Sequence, residues 1–398
     1  MSSVDLHRLA QEMGPQLVED RRHLHRHPDL SGAEQATAAF IGERLRRLGL
    51  QPREMVDGRA VVADIEGGAG AGRRLLIRAD IDALPIQEQG PERPYRSEVP
   101  GVMHACGHDA HVAVALGVAR ALCELRPQLF GGVRLVFQPA EETAGGAAEM
   151  IAAGAMDGPA VEGALGLHIW SGVPAGQVGV RDGAIFASAD EFWVEVRGRG
   201  GHGALPHQAL DPVPIASLLV LALQTLVSRE TSPFEAAVVT IGKVEGGQAF
   251  NVIPETVRLT GTVRAFSEEL RLRLLRRIGE TAAGIAGSFG ATAETVRGAG
   301  CPPVVCAPAM SNLVRRAVEA SPGAELVEPD PITVGDDFSL FLERVPGCYF
   351  LLGAGNSAAG ITAPHHHPEF DIDESCLAVG VEVMLRAAME FCRSGSGA

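Results

Sequence analysis

Leu75-Leu76-Ile77-Arg78-Ala79-Asp80-Ile81-Asp82 is a short apolar run that ends abruptly in charge. The same design returns twice: Val133 to Phe137 runs into Gln138-Pro139-Ala140-Glu141-Glu142, and Ala164 to Ile169 carries His168 at its close. Apolar runs of this length, without polar alternation, fit strands covered on both faces. Amphipathic helical patterns lie before and between them, at Arg8 to Arg26, at Ala33 to Leu48 (closed by Gly49) and at Ala110 to Leu125. Helices alternating with buried strands predict an α/β fold with a mainly parallel sheet. In open sheets of that kind ligands bind outside the carboxyl ends of the strands, so the three polar clusters are expected to converge on one crevice.

The pattern changes between residues 184 and 297. There it reads strand (Glu191 to Arg197), helix (Pro214 to Ser228), strand (Ala237 to Val244), strand (Val252 to Phe266), helix (Ser267 to Phe289), strand (Ala291 to Val296). That βαββαβ order is the split βαβ unit of a small ferredoxin-like α+β domain. The α/β character resumes with the apolar run Tyr349 to Leu352 before Gly353-Ala354-Gly355. Residues 184–297 are therefore expected to form an insertion in a discontinuous domain made of 1–183 and 298–398.

The chain has 398 residues and is 46% hydrophobic, enough for a sizeable core. With 34 basic and 49 acidic residues its formal charge is -15, which disfavours nucleic acid and anionic membranes as partners. Met1 to Gln16 mixes Asp5, His7, Arg8 and Glu12 among its apolar residues and lacks the unbroken apolar core of a secretory signal. The apolar stretch Leu218 to Val227, interrupted by Gln224, falls well short of the ~20 residues needed to cross a bilayer. Seven scattered cysteines do not form a disulfide framework and suit a reducing cytoplasm.

The densest chemical signal is Met103-His104-Ala105-Cys106-Gly107-His108-Asp109-Ala110-His111, a loop entering a helix. A thiolate and a neutral imidazole are good ligands for zinc-like ions, although Cys-x-His also fits a buried cysteine beside a helix-start histidine. Further donors are the paired carboxylates Glu141-Glu142, His168, and His365-His366-His367 in a Pro-bounded loop. His23, His25 and His27 read as helix-end residues.

An ordered set of motifs spans nearly the whole chain: Leu24 to Ser31, Arg78 to Pro85, His104 to His111, Gln138 to Glu142, Gly166 to Trp170, Gly201 to Asp211, Asn251 to Pro254, Gly261 to Arg264 and His366-His367-Pro368. In these the chain resembles the aminoacylase and carboxypeptidase family of dinuclear metal amidohydrolases, within the subgroup containing hippurate hydrolase and the plant auxin-amino-acid hydrolases. The resemblance implies a zinc-exopeptidase-like catalytic domain, an inserted dimerisation or lid domain, and two divalent ions per subunit, zinc or manganese first, then cobalt or nickel. Cys106 stands where related subgroups carry a bridging Asp. His108 and His168 would complete one metal; Glu142 and His366, two residues before Pro368, the other. Asp82 maps to the acidic residue that orients the site, and Glu141 to the general base that takes a proton from water and returns it to the leaving amine. His202 matches a histidine that reaches across a homodimer to stabilise charge on the carbonyl oxygen. Asn251 and Arg264 match substrate-contacting positions, with Arg264 suited to a carboxylate. Two departures stand out: Asp336 where relatives often carry Glu, and His365 at a commonly apolar position.

The implied reaction is hydrolysis of the amide bond of an N-acyl amino acid. The alternatives are a dipeptidase or carboxypeptidase acting on small peptides, a cysteine hydrolase using Cys106, and a metal-dependent binding protein without catalysis.

Overall fold

The structure, a computed structural model, describes residues 5–394, which fall into two compact units. The larger contains the chain up to Ile185, Val305–Asp330 and the stretch from Asp337 onward; the smaller contains Phe186–Val304 and Pro331–Asp336. No helix among the described residues is long and apolar enough to cross a membrane.

The larger unit is built on an eight-stranded sheet. Its strands lie in the order Arg53–Met55, Ala60–Glu66, Gly132–Gln138, Arg74–Asp80, Gly163–Pro174, Gly347–Gly355, Gln177–Gly179 and Glu325–Val327. The four central strands run parallel, and Arg74–Asp80, Gly132–Gln138 and Gly347–Gly355 are buried along their whole length, as doubly covered strands must be.

The sheet is mixed: its four central strands are parallel, and antiparallel pairings lie toward both edges. Ala60–Glu66 joins it antiparallel to both Arg53–Met55 and Gly132–Gln138, and Gln177–Gly179 pairs antiparallel with Gly347–Gly355. The first of these arises from a tight turn at Val56-Asp57-Gly58, all three at positive φ, which folds one strand back on its neighbour. The strand carrying His168 also continues to Pro174 rather than ending near the histidine. Its pairing with Arg74–Asp80, however, stops at Arg78↔Gly166, so His168 lies beyond the end of that ladder, where Asp80 and Asp82 also emerge.

The helix His108–Glu124 starts at Gly107, whose φ of +91° places it in the left-handed region and whose missing side chain leaves room for Ile169 Cβ. Farther along, Gly117 is where Gly14–Arg26 and Cys376–Arg393 close on this helix: a Cβ there would stand 2.6 Å from Leu17 Cδ2 and 2.7 Å from Val381 Cγ2. The helical pattern expected from Arg8 to Arg26 is divided, as Leu6–Glu12 and Gly14–Arg26, at Met13.

In the smaller unit the main elements follow the order strand Ala189–Arg197, helix Pro212–Ser228, strands Ala237–Gly246 and Thr256–Ala265, helix Glu268–Ser288, strand Thr292–Cys301. The strands form an antiparallel sheet in the spatial order Ala237–Gly246, Thr256–Ala265, Ala189–Arg197, Thr292–Cys301. Both helices share a core with it, including Phe192, Leu219, Leu259 and Ile278. The single strand expected from Val252 to Phe266 is interrupted at Pro254, which has no N–H to give; Val252–Ile253 pairs instead with Gly201–His202. The last strand continues past residue 297 to Cys301 because a bulge between Arg297 and Gly300 lets it re-pair with Asp190 and Ala189.

Gly117→Val is expected to destabilise the protein by about 1–3 kcal/mol through overpacking where the three helices meet. A thermal melt followed by circular dichroism measures this, and an unchanged midpoint would contradict so close an approach.

Candidate metal centre and active site

Cys106 ends the loop that enters the His108 helix, and it lies at the centre of the expected donors. The ligand atoms of Cys106, His108 and His168 lie within 4.8 Å of one another, as do those of Cys106, Glu142 and His366, and those of His108, Glu141 and Glu142. Cys106 thus belongs to two triples at once. Its Sγ is 3.6 Å from His168 Nε2, while His108 Nε2 is 3.8 Å from Glu142 Oε1 and His366 Nε2 is 3.4 Å from Glu142 Oε2.

Backbone carbonyls set the tautomers. His108 Nδ1 donates to Asp82 O at 2.9 Å and His168 Nδ1 to Ile169 O at 2.6 Å, so both Nε2 atoms turn an unprotonated face toward the cluster when the rings are neutral. His108 Nε2, Glu142 Oε1 and Asp82 Oδ1 are buried and have no hydrogen-bond partner. Buried polar atoms that converge without hydrogen-bond partners are what a divalent cation satisfies, and a mixed thiolate, imidazole and carboxylate set suits a zinc-like ion. The residues fit a metal pair.

Asp82 supports these donors. It is buried, and its Oδ2 accepts from Ser31 Oγ at 2.6 Å and from the Glu142 N–H at 3.1 Å, while its carbonyl holds His108. Burial alone would raise the Asp82 carboxyl, but His108, Ser31 and the Glu142 N–H hold it below the usual carboxylate range. Glu141 and Glu142 sit on a constrained turn: Ala140, just before them, has φ +51°, and its N–H is held at 2.9 Å by the buried Glu34, which also accepts from the Gly32 N–H. A non-glycine residue in that region stores strain of order 1–3 kcal/mol, which the surrounding bonds must contain. Glu141 Oε2 stands 3.9 Å from His108 Nε2, beside the donors.

The three consecutive histidines separate cleanly. His366, at φ +63°, joins Cys106 and Glu142 and donates its backbone N–H to Ala105 O at 2.8 Å. His365 turns inward to the carbonyl of Ile169, and burial holds its pKa down to about 4. His367 is exposed and accepts the Glu369 N–H.

Two neighbours escaped the sequence reading as site residues. His111 lies one turn beyond His108; its Nδ1 donates to Asp80 and its Nε2 accepts the Ile169 N–H, while Asp80 also takes Arg78 Nη1 at 2.6 Å. The i, i+3 spacing of His108 and His111, which places both on one helix face, was the available signal. His25, read as a helix-end residue, is buried against Asp109 at 2.7 Å, and Asp109 also pairs with the fully buried Arg21.

His202 and Asn251 lie in the smaller unit. His202 pairs with Val252 across a two-residue ladder, the Gly203 N–H donates to Asn251 O, and His202 Nδ1 accepts the Ala204 N–H at 3.0 Å. That bond leaves the proton of neutral His202 on Nε2. The ring is exposed and offers this N–H outward. Arg264 stands on another element of the same unit, on the strand Thr256–Ala265 opposite Val238.

The electrostatics argue against a thiolate nucleophile. Burial first, and then Glu142, Glu141 and Asp80, push the Cys106 thiol well above its ordinary value, the reverse of an activated cysteine. Burial works against charging His108, but Asp80, Asp82 and Glu142 outweigh it and bring its pKa up to about 10. His168, by contrast, is held well below its ordinary range by burial and by the imidazoles of His111 and His365.

A sequence model described as Peptidase family M20/M25/M40 matches residues 76–390. The chain is 41% identical to the N-acetyl-L-cysteine deacetylase of Bacillus subtilis strain 168, over 91% of this chain and 85% of that protein. It is 36% identical to thermostable carboxypeptidase 2 of Saccharolobus solfataricus, over 94% and 95% of the two chains. Among solved structures, the YXEP protein of Bacillus subtilis, described as a dinuclear metal binding peptidase from the M20 family, is similar with a TM-score of 0.84 and 34% identity, covering 96% of this chain and 99% of that one.

A cation can use Cys106 and His108 only as thiolate and neutral imidazole, so both must lose a proton on loading near neutral pH. Metal uptake is therefore expected to release protons and to tighten as pH rises. Calorimetric titration of the metal-free protein in two buffers of different ionisation enthalpy measures the release; identical heats would contradict these protonation states.

Proposed function

Because the chain belongs to peptidase family M20/M25/M40 and is a hydrolase of amide bonds, we propose that it cleaves N-acyl amino acids with two divalent ions, zinc or manganese before cobalt or nickel. The observation that carries this reading is the place of Cys106 in two donor triples, with Glu141 beside them and not a member of either. The similarity to an N-acetyl-L-cysteine deacetylase supports an acylated amino acid as substrate. The similarity to a carboxypeptidase favours small peptides as the second reading.

Ions held by Cys106, His108 and His168 on one side and by Cys106, Glu142 and His366 on the other would supply Lewis acidity to the scissile carbonyl and to water. Asp82 keeps His108 in its ligating tautomer through the backbone carbonyl and steadies the Glu142 peptide through its carboxylate. Glu141 takes the proton of the attacking water on a carboxylate oxygen and passes it to the departing amine nitrogen. Asn251 and Arg264 contact the substrate, Arg264 pairing with its carboxylate. His202 donates Nε2–H to the carbonyl oxygen as charge builds there.

In this reading the larger unit is the discontinuous catalytic domain, and the smaller unit an inserted ferredoxin-like domain that pairs two subunits in a cytoplasmic homodimer. Support for the pairing comes from the edge strand Ala237–Gly246, where Val244 is exposed, and from the exposed Val213, Leu218 and Leu221 of the helix Pro212–Ser228. A second copy of this surface would cover an apolar face that solvent does not favour.

Glu141→Gln should retain metal and lose roughly 10²- to 10⁴-fold in kcat, since it removes the proton acceptor and keeps the shape. Glu142→Gln should lose metal instead. Elemental analysis beside turnover of N-acetyl, N-benzoyl and auxin-type conjugates and of dipeptides checks both, and turnover of dipeptides alone would give the second reading the case. If His202 serves the neighbouring subunit, mixing inactive His202→Ala with inactive Glu141→Gln under subunit exchange should restore part of the activity. Confirmed exchange without recovery would place His202 in its own chain's chemistry or in none.

A further inference from the structure

Three imidazoles grip the peptide between Ile169 and its neighbours. His111 Nε2 accepts the Ile169 N–H at 2.8 Å, while the Ile169 carbonyl receives His168 Nδ1 at 2.6 Å and His365 Nε2 at 2.8 Å. A carbonyl only accepts, so both latter rings donate, and the two lone pairs of the oxygen are both in use. His168 is a member of the first donor triple. His365 directly precedes His366, a member of the second.

His365 is built into this place. Its ring stacks on Trp170 with centroids 4.5 Å apart and planes 23° from parallel, and it meets the His168 ring edge-on at 5.3 Å and Phe370 at 4.9 Å. Ser171 Oγ lies 3.4 Å from Nδ1, the nitrogen that the Ile169 bond leaves as an acceptor. An apolar side chain could fill the same space against Trp170 and Phe370, but it could not donate. His366, meanwhile, occupies the left-handed region without being glycine, so its loop needs anchors to hold that conformation.

We infer that His365 is a positioning residue that couples the two metal half-sites: one hydrogen bond ties the loop bearing His366 to the carbonyl that orients His168. The inference rests on the two-metal reading above. Without the bond, the His366 loop loses a side-chain tether, keeping the His366 N–H to Ala105 O bond, and the Ile169 carbonyl loses one of the two donors that fix it, so donors of both triples lose support from a single change. Outer groups that orient ligands in this way typically contribute 10- to 100-fold in metal affinity.

The test titrates Co²⁺ into metal-free wild type, His365→Leu and His365→Gln, reading stoichiometry and affinity by calorimetry with chelator competition and the cobalt environment by visible absorption. Wild type is expected to bind two ions. His365→Leu should bind both about 10- to 100-fold more weakly, with an altered cobalt spectrum and a metal-free melting temperature close to wild type. His365→Gln, whose amide nitrogen reaches about as far as the imidazole Nε2 and donates, should restore most of the affinity and the spectrum. If His365→Leu does not fold, His365→Asn makes the same comparison, because its shorter amide donor falls short of Ile169 O. Wild-type affinity at both sites in the non-donating variant would overturn the inference, as would loss at one site with the other unchanged. A wild type that binds fewer than two ions would overturn the two-metal reading itself, a result visible before any variant is made.

Discussion

Buried polar atoms without hydrogen-bond partners are costly, and the larger unit gathers three of them, His108 Nε2, Glu142 Oε1 and Asp82 Oδ1, in one place. The imidazoles of His108 and His168, the carboxylates of Glu141 and Glu142 and the sulfur of Cys106 share one region, while His366 closes it from a more exposed position. The His108 and His168 rings are each held with Nε2 inward by a backbone carbonyl at Nδ1, so neither can rotate away without losing a buried bond. The metal-free protein answers the resulting field by protonation, with His108 pushed toward its charged form and Cys106 kept as a thiol. Cation loading and proton loss are therefore two sides of one equilibrium.

Around this group stands a layer of buried ion pairs that positions the elements carrying the donors. Arg78 joins Asp80 and Asp337, Gln138 donates to Asp337 as well, and Asp80 continues to His111 and so to the Ile169 peptide. On the other side Arg21 meets Asp109, Asp371 and Glu374, and Asp109 also takes His25. Desolvating so many charges brings little net stability. Its effect here is positional, because each pair locks a strand end or the helix start from which a donor projects, and removal of one partner would leave its mate buried and uncompensated.

The sheet explains why donors so distant in sequence meet. Parallel strands end on the same side, and the ladder between Arg74–Asp80 and Gly163–Pro174 stops at Gly166, so the carboxylates after one strand and His168 on the other emerge together. This much of the site was legible, because an apolar run that ends in Asp, Glu or His is visible as a pattern of residue types. The hairpin that makes the sheet mixed was not, since Arg53–Met55 is only three residues long and Ala60–Glu66 contains the half-buried Asp64, whose ion-pair partner Arg134 lies on a strand far along the chain. Among His365, His366 and His367 the family resemblance pointed to His366 as the ligand, but nothing in the sequence indicated that His365 turns inward to the Ile169 carbonyl.

The sequence by itself determined the types and order of the chemical groups: the Cys106-x-His108 pair at a helix start, two adjacent carboxylates after a strand, and a second α/β segment after a βαββαβ stretch. These follow from local rules, because strand burial, helix periodicity and turn residues act over a few positions at a time. Only the tertiary structure decided which way each ring faces, that Asp80 and His111 belong to the layer around the donors, that His25 belongs to the Arg21 cluster, and that His365 points to the Ile169 carbonyl while its neighbour points to Glu142. Those choices depend on bonds between residues tens to hundreds of positions apart, such as His365 Nε2 to Ile169 O, and on a left-handed backbone at His366 that no local preference would select.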